Sequence, residues 1–256
     1  MNCSVVSIHN CPVKTLSLQS LKSCNIKKNI GMTNDRIFAF SRGVNFEKAK
    51  LIEKNPNERK LNNFLTLKNS PVLNKYNFIY EKNNLTLTFK NKELISINLD
   101  NSEDLSLISE KLLELETSLA KPIFLLKNSN FPFYDTTNSN NVMNSISLIN
   151  INSIKDFEKK INEKVETQRF RGNFYVEGIK AFEERNWINK IIKINNISFK
   201  VQKSIPRCVA INLKPKTDDN SLNLLQSLKK SYNHFDMGIY LTALEDGKIN
   251  VGDKVE

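Results

Sequence analysis

Three consecutive segments in the first half of the chain alternate apolar and polar residues, and they constrain the fold more than any other feature. The segments are 77–80, 85–89 and 94–99. Such alternation is typical of half-buried strands, and the short polar turns between the segments favour antiparallel pairing. We therefore predict an antiparallel meander of three strands. A helix with a leucine-rich face is expected to follow it, starting near Asp104.

Short strand-like segments continue to the end of the chain, whereas the helical spacing of apolar residues is convincing in only three places. Those places begin near Asp104, Ser153 and Asn220. Many short strands with few helices predict a strand-dominated α+β protein with a barrel-like arrangement. The polar segment 128–144 contains a run of Asn, Ser and Thr, and it is expected to be a linker or a mobile loop.

Composition argues against several classes of protein. No apolar run approaches the roughly 20 residues that cross a bilayer, and polar residues interrupt the N-terminus, so we expect a cytoplasmic protein with no membrane partner. Cys3, Cys11, Cys24 and Cys208 show no C-x-x-C spacing, which argues against a zinc ribbon, an iron–sulfur cluster and a disulfide framework. The net charge of +11 implies an attraction to anions without identifying one.

The segment around Cys208 is the best candidate for chemistry. Pro206 and Arg207 precede the cysteine and an apolar run follows it, so the thiol is expected where a loop enters a strand, beside a positive charge. A neighbouring arginine favours the thiolate, which is the form that binds metals and attacks electrophiles. From these residues alone two interpretations stay open: a reactive or metal-binding thiolate, and a small buried hydrophobic residue.

Three other places offer groups that bind anions. Lys14 and Thr15 are expected on a loop that leaves the first strand, and Arg36 at the mouth of another strand. Ser153 begins a predicted helix, where free backbone N–H groups attract anions. Each place also has a simpler interpretation: a solvated pair for Lys14 and Thr15, an ion pair with Asp35 for Arg36, and an ordinary helix cap for Ser153.

Arg169, Arg171 and Asn173 form a further candidate group. If this segment is a strand, alternate residues point to the same face, so both guanidinium groups could converge on one anion with Asn173 on the same side. The alternative is an exposed basic strand face.

Six segments, taken in order along the chain, resemble the motifs of one known family. The family is MOSC, named for the C-terminal domain of molybdenum cofactor sulfurase, together with the β-barrel N-terminal domain that often precedes it. Within it, the chain is similar to bacterial relatives of the mitochondrial amidoxime-reducing component. The segments are Cys11-Pro12-Val13-Lys14-Thr15 (family Y-P-V-K-S), Asp35-Arg36-Ile37-Phe38 (D-R-x-W), Phe170-Arg171-Gly172-Asn173 (F-R-P-N), Pro206-Arg207-Cys208 (R-C), Asp236-Met237-Gly238-Ile239-Tyr240 (G-V-Y) and Val251-Gly252-Asp253 (V-G-D).

The resemblance implies both a fold and a cofactor. It implies a β-barrel-like N-terminal domain over residues 1–121, closely packed on a β-barrel-like MOSC domain over residues 122–256. It also implies a molybdenum cofactor, a phosphorylated pterin whose dithiolene holds the metal; members of the family are associated with pyridoxal phosphate as well. Cys208 would be the metal ligand and the catalytic residue. The residues implied to bind the cofactor are Lys14, Thr15, Arg36, Ser153, Arg169, Arg171, Asn173 and Arg207.

The chain departs from the family pattern at several positions. Thr15 replaces serine, Phe38 replaces tryptophan and Gly172 replaces proline. The largest departure follows Cys208, where Lys-Pro-Lys-Thr-Asp over residues 214–218 replaces D-P-x-T-G. If this loop shapes substrate access, the substrate differs from that of other members.

The leading functional hypothesis is a molybdenum-cofactor-dependent reductase of N-hydroxylated or other small N–O substrates. The chain has no cysteine cluster for an iron–sulfur centre, so we expect a separate electron-transfer protein, a ferredoxin- or flavin-type reductase. One alternative is a sulfur carrier with a persulfide on Cys208. Another is a non-catalytic binding module, for instance for RNA. No RRM-type strand or recognition helix is visible, so we expect no nucleic acid as a partner.

Overall fold

The structure is a computed structural model that describes residues 3–101, 104–134 and 146–256. Residues 135–145, the centre of the expected linker or mobile loop, lie outside the described residues. The described chain forms four α-helices, namely α1 (Phe46–Lys54), α2 (Asp104–Leu115), α3 (Ile151–Ile161) and α4 (Leu224–Tyr232).

Strands account for most of the regular structure. They are β1 (Ser4–Asn10), β2 (Gln19–Leu21), β3 (Ser23–Lys27), β4 (Gly31–Met32), β5 (Phe38–Phe40), β6 (Tyr76–Glu81), β7 (Asn84–Phe89), β8 (Lys92–Asn98), β9 (Leu125–Lys127), β10 (Ile146–Asn150), β11 (Phe174–Glu177), β12 (Ile191–Ile194), β13 (Ile197–Pro206), β14 (Asp236–Ala243) and β15 (Gly247–Asn250). The predicted strand-dominated α+β class is confirmed. The sheets are open, and the described residues form no closed barrel.

The largest sheet has seven strands in the order β12-β13-β14-β10-β11-β1-β2. Its strands β10 and β11 are parallel, and each of its other neighbouring pairs is antiparallel. Strands β1 and β2 from the start of the chain therefore share a sheet with strands from its second half. The division of the chain at residues 121 and 122 stays a prediction.

Each face of this sheet is covered by a different layer. One face packs against β3, β4 and β15 through apolar side chains such as Ile26, Met32 and Ile249. The other face packs against α3 and α4, which contribute Phe157 and Leu228. Because both faces of the sheet are covered, the central strand β10 has no exposed side, and all five of its residues are buried.

The prediction that Ser153 caps helix α3 is wrong. Asn150 is the cap, and its side chain accepts a hydrogen bond of 3.0 Å from the Asn152 N–H. Ser153 lies within the first turn and is completely buried. Asparagine caps a helix as well as serine does, so the sequence offers two candidate caps, Asn150 and Ser153, three residues apart.

The predicted meander is confirmed as β6, β7 and β8 in antiparallel order. Its apolar face packs against α2, whose Ile108 and Leu112 are completely buried. Beside it, β5 pairs with β9, and α1 packs through Ile52 in a small apolar cluster with Phe64 and Phe133. Helix α1 was not among the predicted helices, although Asn45 supplies an ordinary cap for it.

Two predicted strands are 3₁₀ turns in the structure. Residues Thr167–Phe170 form one such turn and residues Val209–Asn212 form another. Cys208 therefore lies where β13 ends, and not where a loop enters a strand. The argument that Arg169 and Arg171 share a strand face is likewise wrong. No helix of the described residues combines the length and the apolar character that a membrane span needs.

Candidate functional site

The loop formed by residues 11–16 brings together two arginines that are far apart in the sequence. The Cys11 N–H donates to Asp35 Oδ1 at 2.7 Å, and the other carboxylate oxygen of Asp35 pairs with Arg36. From the other side, Arg171 donates to the Leu16 carbonyl oxygen and to Cys11 Sγ, the latter at 3.2 Å. Arg36 and Arg171 therefore flank the same loop.

Cys11, at the centre of this loop, is a buried thiol. Its Sγ donates to the Val13 carbonyl oxygen at 3.0 Å. Burial raises the pKa of Cys11, although the charges of Arg171 and Arg36 oppose the effect. The neutral thiol is thus favoured here, and Cys11 acts as a structural residue.

Lys14 lies on the same loop but is buried, with 1% of its surface exposed. Its ammonium group donates to the carbonyl oxygens of Phe133 (3.0 Å) and Tyr134 (3.2 Å). The Phe133 N–H in turn donates to the Arg36 carbonyl oxygen at 2.7 Å, and the Arg36 guanidinium lies 5.6 Å from the centre of the Tyr134 ring. Lys14 therefore secures the chain segment that packs on Arg36.

Four residues around this loop have the left-handed backbone conformation without being glycine or asparagine. They are Thr15 (φ 56°), Arg36 (φ 53°), Arg171 (φ 50°) and Lys216 (φ 62°). This conformation is uncommon for such residues and is strained for β-branched threonine. Strained positions persist where the surroundings fix them, and they cluster at functional sites. The Thr15 hydroxyl accepts a hydrogen bond from the Leu67 N–H at 3.3 Å, which helps to fix this loop.

A narrow cleft lies beside the loop, and we call it the Arg169 cleft. Its cavity volume is about 20 Å³. It is lined by residues from both halves of the chain: Ser17, Leu18, Asn74, Gln168, Arg169, Arg171, Ala210, Leu213, Pro215 and Lys216. Although the strand argument was wrong, the two arginines line the same cavity.

Arg169 is held firmly within this cleft. Its Nε donates to Glu166 Oε2 at 2.6 Å, and its NH1 donates to the Asn212 carbonyl oxygen at 2.6 Å. Lys214 also pairs with Glu166, at 3.6 Å. Burial alone would raise the pKa of Glu166, but its bonds to Arg169 and Lys214 lower it overall, so it stays ionised.

Cys208 differs from the other cysteines because it is exposed, whereas Cys3, Cys11 and Cys24 are buried. The turn that follows it runs along the cleft. Its Ile211 packs under α3 and α4, while Leu213 packs in the cluster under the meander. Cys208 therefore lies just before a segment that joins both halves of the molecule and lines the cleft.

Arg207, next to Cys208, is partly buried. Its Nε donates to the Met237 carbonyl oxygen at 2.9 Å, and its NH1 donates to the Phe170 carbonyl oxygen at 2.7 Å. Burial lowers the pKa of Arg207, and Arg171 lowers it further, while nearby groups that include Cys208 raise it. Arg207 therefore braces the residue before Arg171 through its backbone.

Ser153 and Asn173 do not line the cleft. Ser153 Oγ donates to Glu184 Oε1 at 2.9 Å and accepts from the Phe182 N–H at 2.8 Å. Asn173 Oδ1 accepts from both the N–H and the hydroxyl of Ser147, and its Nδ2 donates to the His9 carbonyl oxygen at 3.1 Å. Both side chains use their hydrogen-bonding groups to join backbone elements.

Sequence reasoning missed Asn74, Glu166 and Gln168. Asparagine is abundant throughout the chain, so nothing marked Asn74. The spacing of Glu166 and Arg169 did carry a signal, since residues three apart meet on a helical turn. No group of three His, Cys, Asp or Glu side chains suited to hold a metal occurs within residues 3–101, 104–134 and 146–256.

Two of the solved structures that resemble this one are weak likenesses. The YuaD protein from Bacillus subtilis aligns with a TM-score of 0.46 at 9% identity, over 100% of this chain and 94% of that chain. YiiM from Geobacillus stearothermophilus aligns with a TM-score of 0.35 at 14% identity, over 43% of this chain and 52% of that chain.

The sequence is similar to several known proteins and to one domain model. Rat mitochondrial amidoxime reducing component 2 is 30% identical over 122 residues, which are 43% of this chain and 36% of that protein. Molybdenum cofactor sulfurase from Bombyx mori is 30% identical over 114 residues, 41% of this chain and 13% of that protein. The chain thus spans about a third or less of these relatives. Residues 135–256 match the MOSC domain model. Over that range, just under half of its length, the chain is similar to the MOSC domain family.

Proposed function

We propose that this protein binds molybdenum cofactor and reduces N-hydroxylated or other N–O compounds. One observation carries the proposal: an exposed thiol, Cys208, lies two residues before Ala210, which lines the same cleft as Arg169 and Arg171. The similarity to proteins named mitochondrial amidoxime reducing component supports the choice of substrate.

The residues present fit a phosphorylated metal cofactor in their chemistry. A soft thiolate ligand suits the metal, and Cys208 offers one at the surface. Phosphate oxygens bind guanidinium groups well, and Arg36 and Arg171 flank one loop. The Arg169 cleft has room for about one water-sized group, so the pterin rings would lie outside it.

The roles of the site residues follow from their contacts. Cys208 would hold the metal, and Arg36 and Arg171 would contact the pterin or its phosphate. Lys14 and Thr15 would act by fixing the loop between these arginines, since their side chains are bonded to backbone groups. Arg207 would fix the position of Cys208 relative to Arg171, because it donates to the carbonyl oxygen of Phe170.

The proposed reaction is consistent with these roles of the residues and the cofactor. Removal of oxygen from an N-hydroxy group takes two electrons and two protons, and it releases water. The bound cofactor would supply the two-electron chemistry. The chain would bind and orient the substrate next to Cys208, and a separate ferredoxin- or flavin-type protein would supply the electrons.

The test compares metal content in matched variants. The protein is produced in a host that makes molybdenum cofactor, and molybdenum and released pterin are measured per chain. We expect near-stoichiometric metal in the wild type and its loss in Cys208→Ser. The control is Cys24→Ser, which removes a thiol from the apolar layer on the far face of the large sheet. Equal metal in both variants would refute the role of Cys208.

The exposure of Cys208 also favours a second candidate, a sulfur carrier. A persulfide needs an accessible thiol, and a molybdenum cofactor sulfurase is among the similar proteins. This candidate predicts protein without pterin whose labile sulfur disappears in Cys208→Ser. The same purified samples distinguish the two functions.

A further inference from the structure

The loop formed by residues 214–219 is the part of the cleft in which the chain departs most from its family. Pro215 and Lys216 of this loop line the Arg169 cleft. Lys216 is exposed, and no hydrogen bond or ion pair of its side chain is present in the part of the chain that the structure describes. A cation is therefore available at the mouth of the cleft.

The loop is held in one conformation by a residue from the first half of the chain. Asn74 Nδ2 donates to the carbonyl oxygens of Lys214 (2.6 Å) and Thr217 (2.7 Å), which lie on either side of Lys216. Within the loop, the Thr217 hydroxyl donates to the Lys214 carbonyl oxygen at 2.9 Å, and the Lys214 N–H donates to the Asp219 carbonyl oxygen at 2.8 Å. The position of Lys216 is thus set by a fixed turn.

The charges around the cleft leave two cations without a carboxylate partner among the described residues. Glu166 neutralises part of the charge of Arg169 and Lys214. Asp219 also lies within electrostatic reach of those two residues. Arg171 donates only to a carbonyl oxygen and a sulfur, and Lys216 to none. The residues that line the cleft include no aspartate or glutamate.

We propose that the Arg169 cleft binds an anionic end group, a carboxylate or a phosphate, and that Lys216 is the cation that recognises it. The cleft admits about one water-sized group, so one oxygen of the anion would enter it while the rest of the end group lies outside, beside the exposed Lys216. The anion has two sources of the same chemistry, a substrate that carries it or the phosphate of the cofactor. The substrate source rests on the proposed function.

The first experiment measures anion binding without any cofactor chemistry. Inorganic phosphate is titrated calorimetrically into purified wild type, Lys216→Gln, and the control Lys248→Gln, which removes an exposed lysine on β15. We expect Lys216→Gln to weaken phosphate binding roughly fivefold, as for loss of one partly screened ion pair, while the control is unchanged. Equal affinity in all three proteins would overturn the proposal.

The second experiment identifies the source of the anion. Molybdenum-loaded protein is assayed with reduced methyl viologen as electron donor on a neutral aromatic amidoxime and on its carboxylate derivative. If the substrate supplies the anion, Lys216→Gln lowers kcat/KM roughly fivefold for the carboxylate compound alone. If the cofactor supplies it, molybdenum and pterin contents fall instead. If the loaded protein shows no reductase activity, the proposed function is refuted. If phosphate binding still depends on Lys216 in that case, the anion site is supported.

Discussion

One partly buried arginine, Arg207, connects the backbone segments that lie around Cys208. Arg207 donates to the carbonyl oxygens of Phe170 and Met237, so it fixes the residue before Arg171 and the start of β14 together. A buried charge is costly unless its donors are used, and here the surrounding carbonyl groups use them. The arginine next to the cysteine therefore supports the site through the backbone.

This role of Arg207 predicts a large effect of a conservative change. In Arg207→Lys, one ammonium group cannot reach both carbonyl oxygens in the geometry of the guanidinium fork, so a partly buried charge loses hydrogen bonds. We expect the free energy of unfolding to fall by about 2 kcal/mol in urea denaturation. Lys203→Gln, at an exposed position of β13, should change it by less than about 0.5 kcal/mol. Equal stability of the two variants would show that the hydrogen bonds of Arg207 do not stabilise these backbone segments.

Sequence patterns could locate the charged residues of the candidate site but not their hydrogen-bond partners. Lys14, Arg169 and Arg207 were all predicted to bind a ligand, yet each donates to backbone carbonyl oxygens. The partner of a buried side chain depends on which segments the tertiary fold brings near it. Asn74 carried no signal for the same reason, because Lys214 and Thr217 become its neighbours only in the folded chain.

Among the secondary-structure elements, predictions succeeded where the partners are close in sequence. The meander β6–β8 was found because its strands follow one another and pair in order. The segment 209–212 has the β-branched, apolar composition of a strand, but it forms a 3₁₀ turn. Ile211 of this turn packs in one apolar cluster, and Leu213, which directly follows the turn, packs in another. The turn pairs with no strand among the described residues.

Asn74, two residues before the meander, holds the loop 214–219 through two hydrogen bonds. Asn74→Ala removes both hydrogen bonds that hold the turn around Lys216, and we expect a loss of about 1–2 kcal/mol in stability. Because local opening exposes the chain to proteases, trypsin should cut after Lys216 faster than in the wild type. Asn220→Ala, a change at an exposed position, is the control. Unchanged cleavage would show that Asn74 does not hold the loop.

For the whole molecule, the sheets combine strands that are distant in sequence. Strand β1 pairs with β11, and β3 pairs with β15. Motif order predicted the family and the strand-dominated class, because these depend on the sequence of elements along the chain. The pairing of distant strands left no mark in local periodicity, so the seven-stranded sheet could not be predicted from the sequence.

This pairing predicts how a fragment behaves. A chain of residues 122–256 lacks β1 and β3, so the apolar face of its large sheet and the edges of β11 and β15 lose their partners. We expect this fragment to aggregate or to unfold without cooperativity when circular dichroism is followed on heating, unlike the full chain. Cooperative unfolding of the fragment would support the division of the chain at residues 121 and 122.

The pairing of β3 with β15 also has a consequence for synthesis in the cell. The Lys28 N–H donates to Asp246 Oδ1 across 218 residues of sequence. While the ribosome is still adding residues, the early strands have no partner for their edges, and such long-range pairing makes folding slow. The fold of the nascent chain therefore cannot be completed until β15 emerges, and we expect the chain to depend on chaperones during that interval.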